Sequence, residues 1–125
     1  MILDTCALLF LPSGDPRLTS ATRERLAKTA SVFYCSISAF EIALKVRDKK
    51  LDLPLPPARW VRAVAERYGL LEVPLDTNLC VAATTLPLIH RDPCDRFIIA
   101  AAKHLRVPVV TIDPRFSEYG VEVVT

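Results

Sequence analysis

Apolar positions along the chain fall into short runs separated by longer stretches in which apolar and polar residues recur at helical spacing. Short apolar runs bounded by turn residues predict buried β-strands, and the longer stretches predict helices. Strands that alternate with helices favour an α/β fold with a mainly parallel sheet covered by helices on both faces. The five expected strands are residues 1–3, 32–35, 70–74, 107–111 and 121–124.

Residues that favour helix ends lie between these runs. Gly69 and Gly120 each close a helical segment directly before a strand, because glycine readily adopts the left-handed backbone of a helix terminus. Capping boxes, prolines and aspartates mark helix starts. The expected starts are the capping box Ser38-Ala-Phe-Glu41, Pro57, Asp76 and Asp92-Pro93. No repeat is visible, and residues 1–125 are interpreted as a single domain.

Composition excludes several classes of protein. The 51% of apolar residues and 24% of charged residues are typical of a folded domain and not of a disordered segment. The longest apolar runs are much shorter than the roughly 20 residues of a membrane span, and Asp4 interrupts the apolar start, so neither a membrane helix nor a secretory signal is expected. Four scattered cysteines are typical of reduced, buried thiols in a cytoplasmic protein.

Five acidic residues follow the predicted strands or lie in the first helical turns after them. Because parallel strands all end at one edge of a sheet, these residues are expected on one rim. Each of them alone is explained by helix capping, since an acid in a first turn gains roughly 0.3–1 kcal/mol from the helix dipole. The five are Asp4, Glu41, Asp76, Asp95 and Asp113.

Capping does not explain the apolar surroundings of two of these acids. Asp4 ends the run MIL and Asp113 ends VPVVTI, where a carboxylate loses water unless a cation meets it. Several neighbouring carboxylates also raise one another's pKa values. A divalent ion such as Mg²⁺ or Mn²⁺ relieves both effects, activates water and stabilises a phosphate oxygen.

Four segments, MILDT, SISAFEIALK, HRDPCDRFIIAAA and VVTIDPRF, resemble the acidic motifs of the PIN domain. Their order and spacing are similar to those of the VapC toxins of bacterial toxin–antitoxin pairs, and the resemblance covers essentially the whole chain. It implies a PIN-like three-layer sandwich whose five-stranded sheet has the order 3-2-1-4-5.

The resemblance also implies an activity, a metal-dependent endoribonuclease that hydrolyses RNA phosphodiester bonds. Its metal ligands and catalytic residues would be Asp4, Glu41, Asp95 and Asp113, holding one or two Mg²⁺ or Mn²⁺ ions. The implied strand order would put Asp76 too far away, so Asp76 is interpreted as a helix cap. The implied partners are RNA, a second copy of the chain and an antitoxin that blocks the acidic pocket, in a toxin–antitoxin hetero-oligomer outside any membrane.

Several residues near these motifs keep two interpretations. Asp92 is interpreted as the cap of its helix that can approach a metal through water. Thr5 and Thr111 either orient a ligand or water or make only local hydrogen bonds. Arg96 either pairs with a rim carboxylate, contacts RNA phosphate or is a solvated surface residue.

Basic and aromatic residues give weaker signals. The seven cations either hold the RNA backbone or form a solvated helix face. Trp60 and Tyr68 either stack on bases or, as we favour, pack in the core. His90 and Cys94 have a spacing seen in zinc sites, but no second pair of ligands lies nearby, so zinc is not expected. The cations are Lys45, Arg47, Lys49, Lys50, Arg59, Arg62 and Arg67.

Two alternative functions fit parts of the pattern. A phosphoacceptor receiver domain has a similar length and gathers aspartates at a sheet edge. It would require paired acids after the first strand and a lysine after the fifth, and the chain has neither. A PIN-like domain that binds RNA or protein without cleavage is the other alternative. The presence of all four motif acids argues against it.

Overall fold

A computed structural model describes residues 1–89 and 92–125 of the chain. Its strands form one five-stranded parallel sheet with the order β3-β2-β1-β4-β5. This arrangement confirms the predicted fold class and strand order. The elements are β1 Ile2–Leu3, α1 Thr5–Ser13, α2 Ser20–Lys28, β2 Val32–Cys35, α3 Ser36–Arg47, α4 Pro57–Tyr68, β3 Leu70–Val73, α5 Thr77–Thr84, α6 Pro93–Leu105, β4 Val109–Val110, a 3₁₀ helix Pro114–Tyr119 and β5 Val123–Val124.

The strand β1 lies in the centre of the sheet. Ile2 is in register with Phe33 of β2 on one side and with Val109 of β4 on the other. β1 and β4 are therefore neighbours, and the residues that directly follow them emerge side by side. The regular strands β1, β3, β4 and β5 are shorter than the apolar runs that predicted them.

Alternating side chains of the sheet supply two apolar cores. Leu3 and Val110 face the layer of helices that contains Ile42 of α3. Ile2 and Val109 face the opposite layer, where Ile98 of α6 is fully buried. Successive residues of a strand point to opposite faces, and helices cover both faces of this sheet. Both residues of each two-residue strand are therefore apolar.

Most predicted helix ends are confirmed. Pro57 is the first residue of α4, and Pro93 that of α6. Asp76 caps α5 by accepting a hydrogen bond from the backbone N–H of Leu79 at 2.8 Å. Gly69, with φ of 65°, ends α4 in the left-handed conformation that glycine adopts without strain.

The predicted capping box at Ser38 and Glu41 is wrong. Helix α3 begins two residues earlier, at Ser36, and its N-cap residue Cys35 makes no side-chain capping bond. Ser38 and Glu41 therefore lie inside the helix, and their side chains take part in other contacts.

The cysteines are unpaired thiols, as predicted, but they are not all buried. Cys35 and Cys94 are buried, Cys6 is half-buried and Cys80 is exposed. Among the helices that the structure describes, none combines the length and the apolar character needed to cross a membrane.

Candidate active site

Asp4 directly follows the central strand and is 5% exposed. Its Oδ1 accepts the backbone N–H of Ala7 at 2.8 Å, which caps α1, and its Oδ2 accepts the hydroxyl of Thr111 at 2.5 Å. Burial raises the pKa of Asp4, although both hydrogen bonds oppose the rise. Asp4 is thus both the helix cap of the simpler hypothesis and a dehydrated carboxylate that a cation would stabilise.

Thr111 connects the acids of the two neighbouring strands. It is 1% exposed, and its oxygen accepts the backbone N–H of Asp113 at 3.0 Å while its proton goes to Asp4. Asp113 is half-buried and caps the 3₁₀ helix through the backbone N–H of Arg115. Of the two hypotheses for Thr111, the contacts favour the orientation of an acidic side chain.

Glu41 reaches the same region from the second turn of α3. Its Oε1 accepts the hydroxyl of Thr5 at 2.7 Å, and the oxygens of Thr5 and Ser38 are 2.9 Å apart. Since Thr5 gives its single proton to Glu41, Ser38 donates to Thr5. Burial raises the pKa of Glu41.

Ser38 is a residue that the sequence did not identify as part of the site. It is fully buried, and its hydroxyl contacts Thr5. The spacing of Ser38 and Glu41 carried a signal, but that signal was interpreted as a capping box. The correct start of α3 turns the same two side chains toward Thr5.

Asp92 and Asp95 have different positions at the start of α6. Asp92 is exposed and caps the helix, with Oδ1 accepting the backbone N–H of Cys94 at 2.9 Å. Asp95 is half-buried in the first turn. The predicted cap role of Asp92 is confirmed. Because Asp92 caps α6, Asp95 is not required as the capping residue.

Asp95 lies in the electrostatic field of the other acids. Its pKa is raised to about 7, chiefly by burial and then by the carboxylates of Asp92, Glu41, Asp4 and Asp113, in that order. The structure therefore brings all four predicted site acids into one cluster, to which Asp92 contributes charge. A cluster of carboxylates that resist ionisation together is stabilised by a divalent cation.

The donor set fits Mg²⁺ or Mn²⁺ in a particular way. In residues 1–89 and 92–125, no three Asp, Glu, His or Cys side chains are gathered closely enough to hold one ion jointly. Mg²⁺ binds proteins through one or two carboxylates, with water and substrate oxygens completing its octahedral shell. The all-oxygen cluster suits such an ion, with some of its acids binding directly and the others through bound water.

Arg96 is neither a solvated residue nor a partner of a rim carboxylate in the structure, so those two interpretations are wrong. It is 9% exposed, and its guanidinium donates to the backbone oxygens of Ala83, Leu86 and Pro87 at 2.7 to 2.9 Å. These carbonyls lie at or just after the end of α5. Although Arg96 follows Asp95 in sequence, its contacts hold α5 against α6.

Of the seven cations named from the sequence, Lys45 interacts electrostatically with the site acids. It is half-buried one helical turn after Glu41, and its charge opposes the rise in the pKa of Asp4 and of Glu41. Trp60 is 9% exposed within the core cluster, which confirms packing as its role, and Tyr68 packs partly buried against that cluster. His90, and with it the zinc hypothesis, lies outside the described residues.

A groove of about 580 Å³ lies away from the acids, between the β3 edge, α5 and the end of α6. Phe33, Val73, Leu79 and Leu105 supply apolar side chains to its wall. None of the four acids lines it, so this groove and the acidic cluster are separate surfaces.

Comparison with known proteins identifies a relative of similar length. The chain is 25% identical over 120 residues to "Ribonuclease VapC22" of Mycobacterium tuberculosis (strain ATCC 25618 / H37Rv), covering 95% of this chain and 91% of that protein.

Solved structures share the fold over almost the whole chain. A VapBC2 complex from Rickettsia felis, bound to a DNA fragment from its promoter, aligns with a TM-score of 0.67 and 16% identity, covering 98% of this chain and 96% of that one. FitAcB from Neisseria gonorrhoeae aligns with a TM-score of 0.67 and 19% identity, covering 99% and 96%. The family model described as "PIN domain" matches residues 1–122, and the chain therefore belongs to the PIN domain family.

Proposed function

We propose that this PIN domain is a metal-dependent endoribonuclease that acts as the toxin of a type II toxin–antitoxin pair in the cytoplasm. The single observation that carries the proposal is the cluster of four carboxylates around Asp95, which together with burial, the larger cause, raise the pKa of Asp95 to about 7. The similarity to a protein named as a ribonuclease supports RNA as the substrate.

In this proposal the metal is held at the edge where β1 and β4 end. Asp4 and Asp95 are the primary candidates for direct ligands, and Glu41 and Asp113 complete the site directly or through water. Bound there, Mg²⁺ or Mn²⁺ supplies an activated water and stabilises charge on the phosphate.

The chain's own residues fix the geometry of these acids. Thr111 holds one oxygen of Asp4 at 2.5 Å, and Ala7 holds the other at 2.8 Å, so the carboxylate has one orientation. Thr5, which is itself held by Ser38, donates to one oxygen of Glu41 at 2.7 Å. Residues that orient metal ligands in this way contribute about 10- to 100-fold to metal affinity or activity.

We further propose that the active assembly contains two copies of the chain and an antitoxin. The acidic cluster suits a basic side chain of an antitoxin, since a guanidinium pairs well with carboxylates. Phe40 of α3, one residue before Glu41, is 54% exposed and provides apolar surface beside the cluster. The similar structures are described as VapBC and FitAcB complexes, which supports this assembly.

Cleavage of RNA by the purified chain, freed of any antitoxin, tests the proposal. We expect cleavage with Mg²⁺ or Mn²⁺ and none with EDTA. Asp4→Asn and Asp95→Asn should each reduce the rate by more than about 100-fold, because the loss of a ligand exceeds the effect of a residue that only orients one.

Asp76→Asn is the matched control. Asp76 caps α5 as Asp4 caps α1, and asparagine caps helices as well as aspartate does. Its cleavage rate should equal that of the wild type. RNA binding without cleavage in any of these metals would instead favour the non-catalytic alternative.

A further inference from the structure

Asp113 is held by the residue two positions after it. Its Oδ1 accepts the backbone N–H of Arg115 at 2.9 Å and the Nε at 3.1 Å, and its Oδ2 accepts the Nη2 at 2.9 Å. The guanidinium thus binds both carboxylate oxygens, which is the two-pronged geometry that favours arginine–carboxylate pairs.

The same tripeptide, Asp-Pro-Arg, occurs a second time in the chain with the same contacts. Oδ1 of Asp15 accepts the backbone N–H of Arg17 at 2.9 Å and its Nε at 3.1 Å, and Oδ2 accepts the Nη2 at 2.7 Å. We call this pairing of the guanidinium with both carboxylate oxygens the fork. Because two copies in different parts of the fold have the same geometry, the fork is a local property of the tripeptide, in which proline fixes the backbone between the two charges.

The two copies differ in their surroundings. Arg115 interacts electrostatically with Asp95 and Asp92 as well as with Asp113. Arg17 instead lies over the ring of Phe10, with its guanidinium carbon 4.3 Å from the ring centre. The fork at Asp113 therefore belongs to the acidic cluster, and the fork at Asp15 provides an internal control.

We propose that Arg115 is an internal competitor of the divalent metal for Asp113, and so sets the metal concentration at which the site fills. This inference rests on the proposed function. Oδ1 of Asp113 already accepts two hydrogen bonds from Arg115 and Oδ2 one, so an ion that takes Asp113 as a direct ligand competes with the guanidinium for the lone pairs of these oxygens.

The expected size of the effect is modest. The Arg115 side chain is 55% exposed, so water screens its attraction for the carboxylate. We therefore expect Arg115 to weaken metal binding by about two- to fivefold.

Calorimetric titration with Mn²⁺ in the absence of RNA tests the proposal directly. Arg115→Gln should bind Mn²⁺ about two- to fivefold more tightly than the wild type. Arg17→Gln removes the matched fork at Asp15, which is not one of the four site acids, and should leave the Mn²⁺ affinity unchanged. Equal affinity of Arg115→Gln and the wild type would overturn the proposal.

A double-mutant cycle separates competition for Asp113 from simple loss of positive charge. If the fork is responsible, Arg115→Gln should not tighten Mn²⁺ binding when Asp113→Asn is already present. A gain that persists in the Asp113→Asn background would mean that the charge acts through space, and would also overturn the proposal.

Asp95→Asn distinguishes this inference from the proposed function. If Asp95→Asn binds Mn²⁺ as the wild type does, the metal site itself is assigned incorrectly and both proposals fail. If Asp95→Asn loses Mn²⁺ binding while Arg115→Gln leaves it unchanged, the competition alone is refuted.

Discussion

The hydroxyl of Thr111 donates a hydrogen bond of 2.5 Å to Oδ2 of Asp4, joining residues that follow the two central strands. Both residues are buried, so the bond stabilises a carboxylate that has little access to water. Hydrogen bonds to charged groups contribute roughly 1.5–3 kcal/mol, about twice the contribution of neutral ones. The stability of the fold and the orientation of a site acid thus depend on the same bond.

Thr111→Val should lower the free energy of unfolding at pH 7 by about 1.5–3 kcal/mol, because valine keeps the shape but removes the donor to Asp4 and the acceptor of the Asp113 backbone N–H. Thr111→Ser should retain most of the stability. Urea denaturation measures both. Ser36→Ala is the control, since the half-buried Ser36 donates to the neutral backbone oxygen of Val73. A loss no larger in Thr111→Val than in Ser36→Ala would contradict the charge-assisted bond.

The pKa of Asp95 predicts an unusual dependence of stability on pH. Because the folded-state pKa is raised from 3.8 to about 7, the folded state binds more protons than the unfolded state between these values. The contribution of Asp95 to stability is therefore present below about pH 4 and is lost as the pH rises to about 7.

Asp95→Asn should remove this loss. With EDTA present at pH 8, we expect it to raise the free energy of unfolding by about 1–2 kcal/mol, since water screens a carboxylate that is only partly buried. Thermal unfolding followed between pH 5 and pH 8 measures the effect. A variant that loses stability with rising pH as steeply as the wild type would contradict the assignment to Asp95.

Asp92 and Asp76 provide a matched pair of helix caps. Each accepts a backbone N–H at the start of its helix, so alanine at either position should lower the free energy of unfolding by about 1 kcal/mol. Asp92→Ala also removes a negative charge that raises the pKa of Asp95. It should therefore lower that pKa, measured by NMR titration, whereas Asp76→Ala should not. Equal pKa values in both variants would mean that Asp92 acts only as a cap.

The strands and the positions of the acids after them could be predicted from local and repeated features of the sequence, whereas the strand order was implied by the family resemblance. Short apolar runs such as the one ending at Val110 identify buried strands, and the resemblance of the acidic motifs implied how these strands are ordered. Asp4 and Asp113 then follow neighbouring strands, since parallel strands end at one edge.

The supporting contacts of the site could not be predicted in the same way. Ser38 reaches Thr5 from 33 positions along the chain, and Arg96 bonds to carbonyls of the preceding helix, so both depend on how helices pack in three dimensions. A serine three residues before a glutamate is typical of a capping box. The same spacing also fits the observed contacts, in which Ser38 bonds to Thr5 and Thr5 bonds to Glu41. Arg96 follows a site acid in sequence, which favoured exposure to solvent or contact with RNA phosphate. Only the packing of α5 on α6 shows that it is buried.

Arg96→Lys is expected to destabilise the fold. A lysine has a single charged nitrogen and cannot reproduce the planar fork that reaches the backbone oxygens of Ala83, Leu86 and Pro87. We expect the free energy of unfolding to fall by about 1–3 kcal/mol, measured in urea, whereas Arg62→Lys on the exposed side of α4 should change it by less than about 0.5 kcal/mol. Because the guanidinium is buried, RNA binding per folded molecule should have the same salt dependence as in the wild type. Unchanged stability combined with a weaker salt dependence would instead identify Arg96 as a phosphate contact.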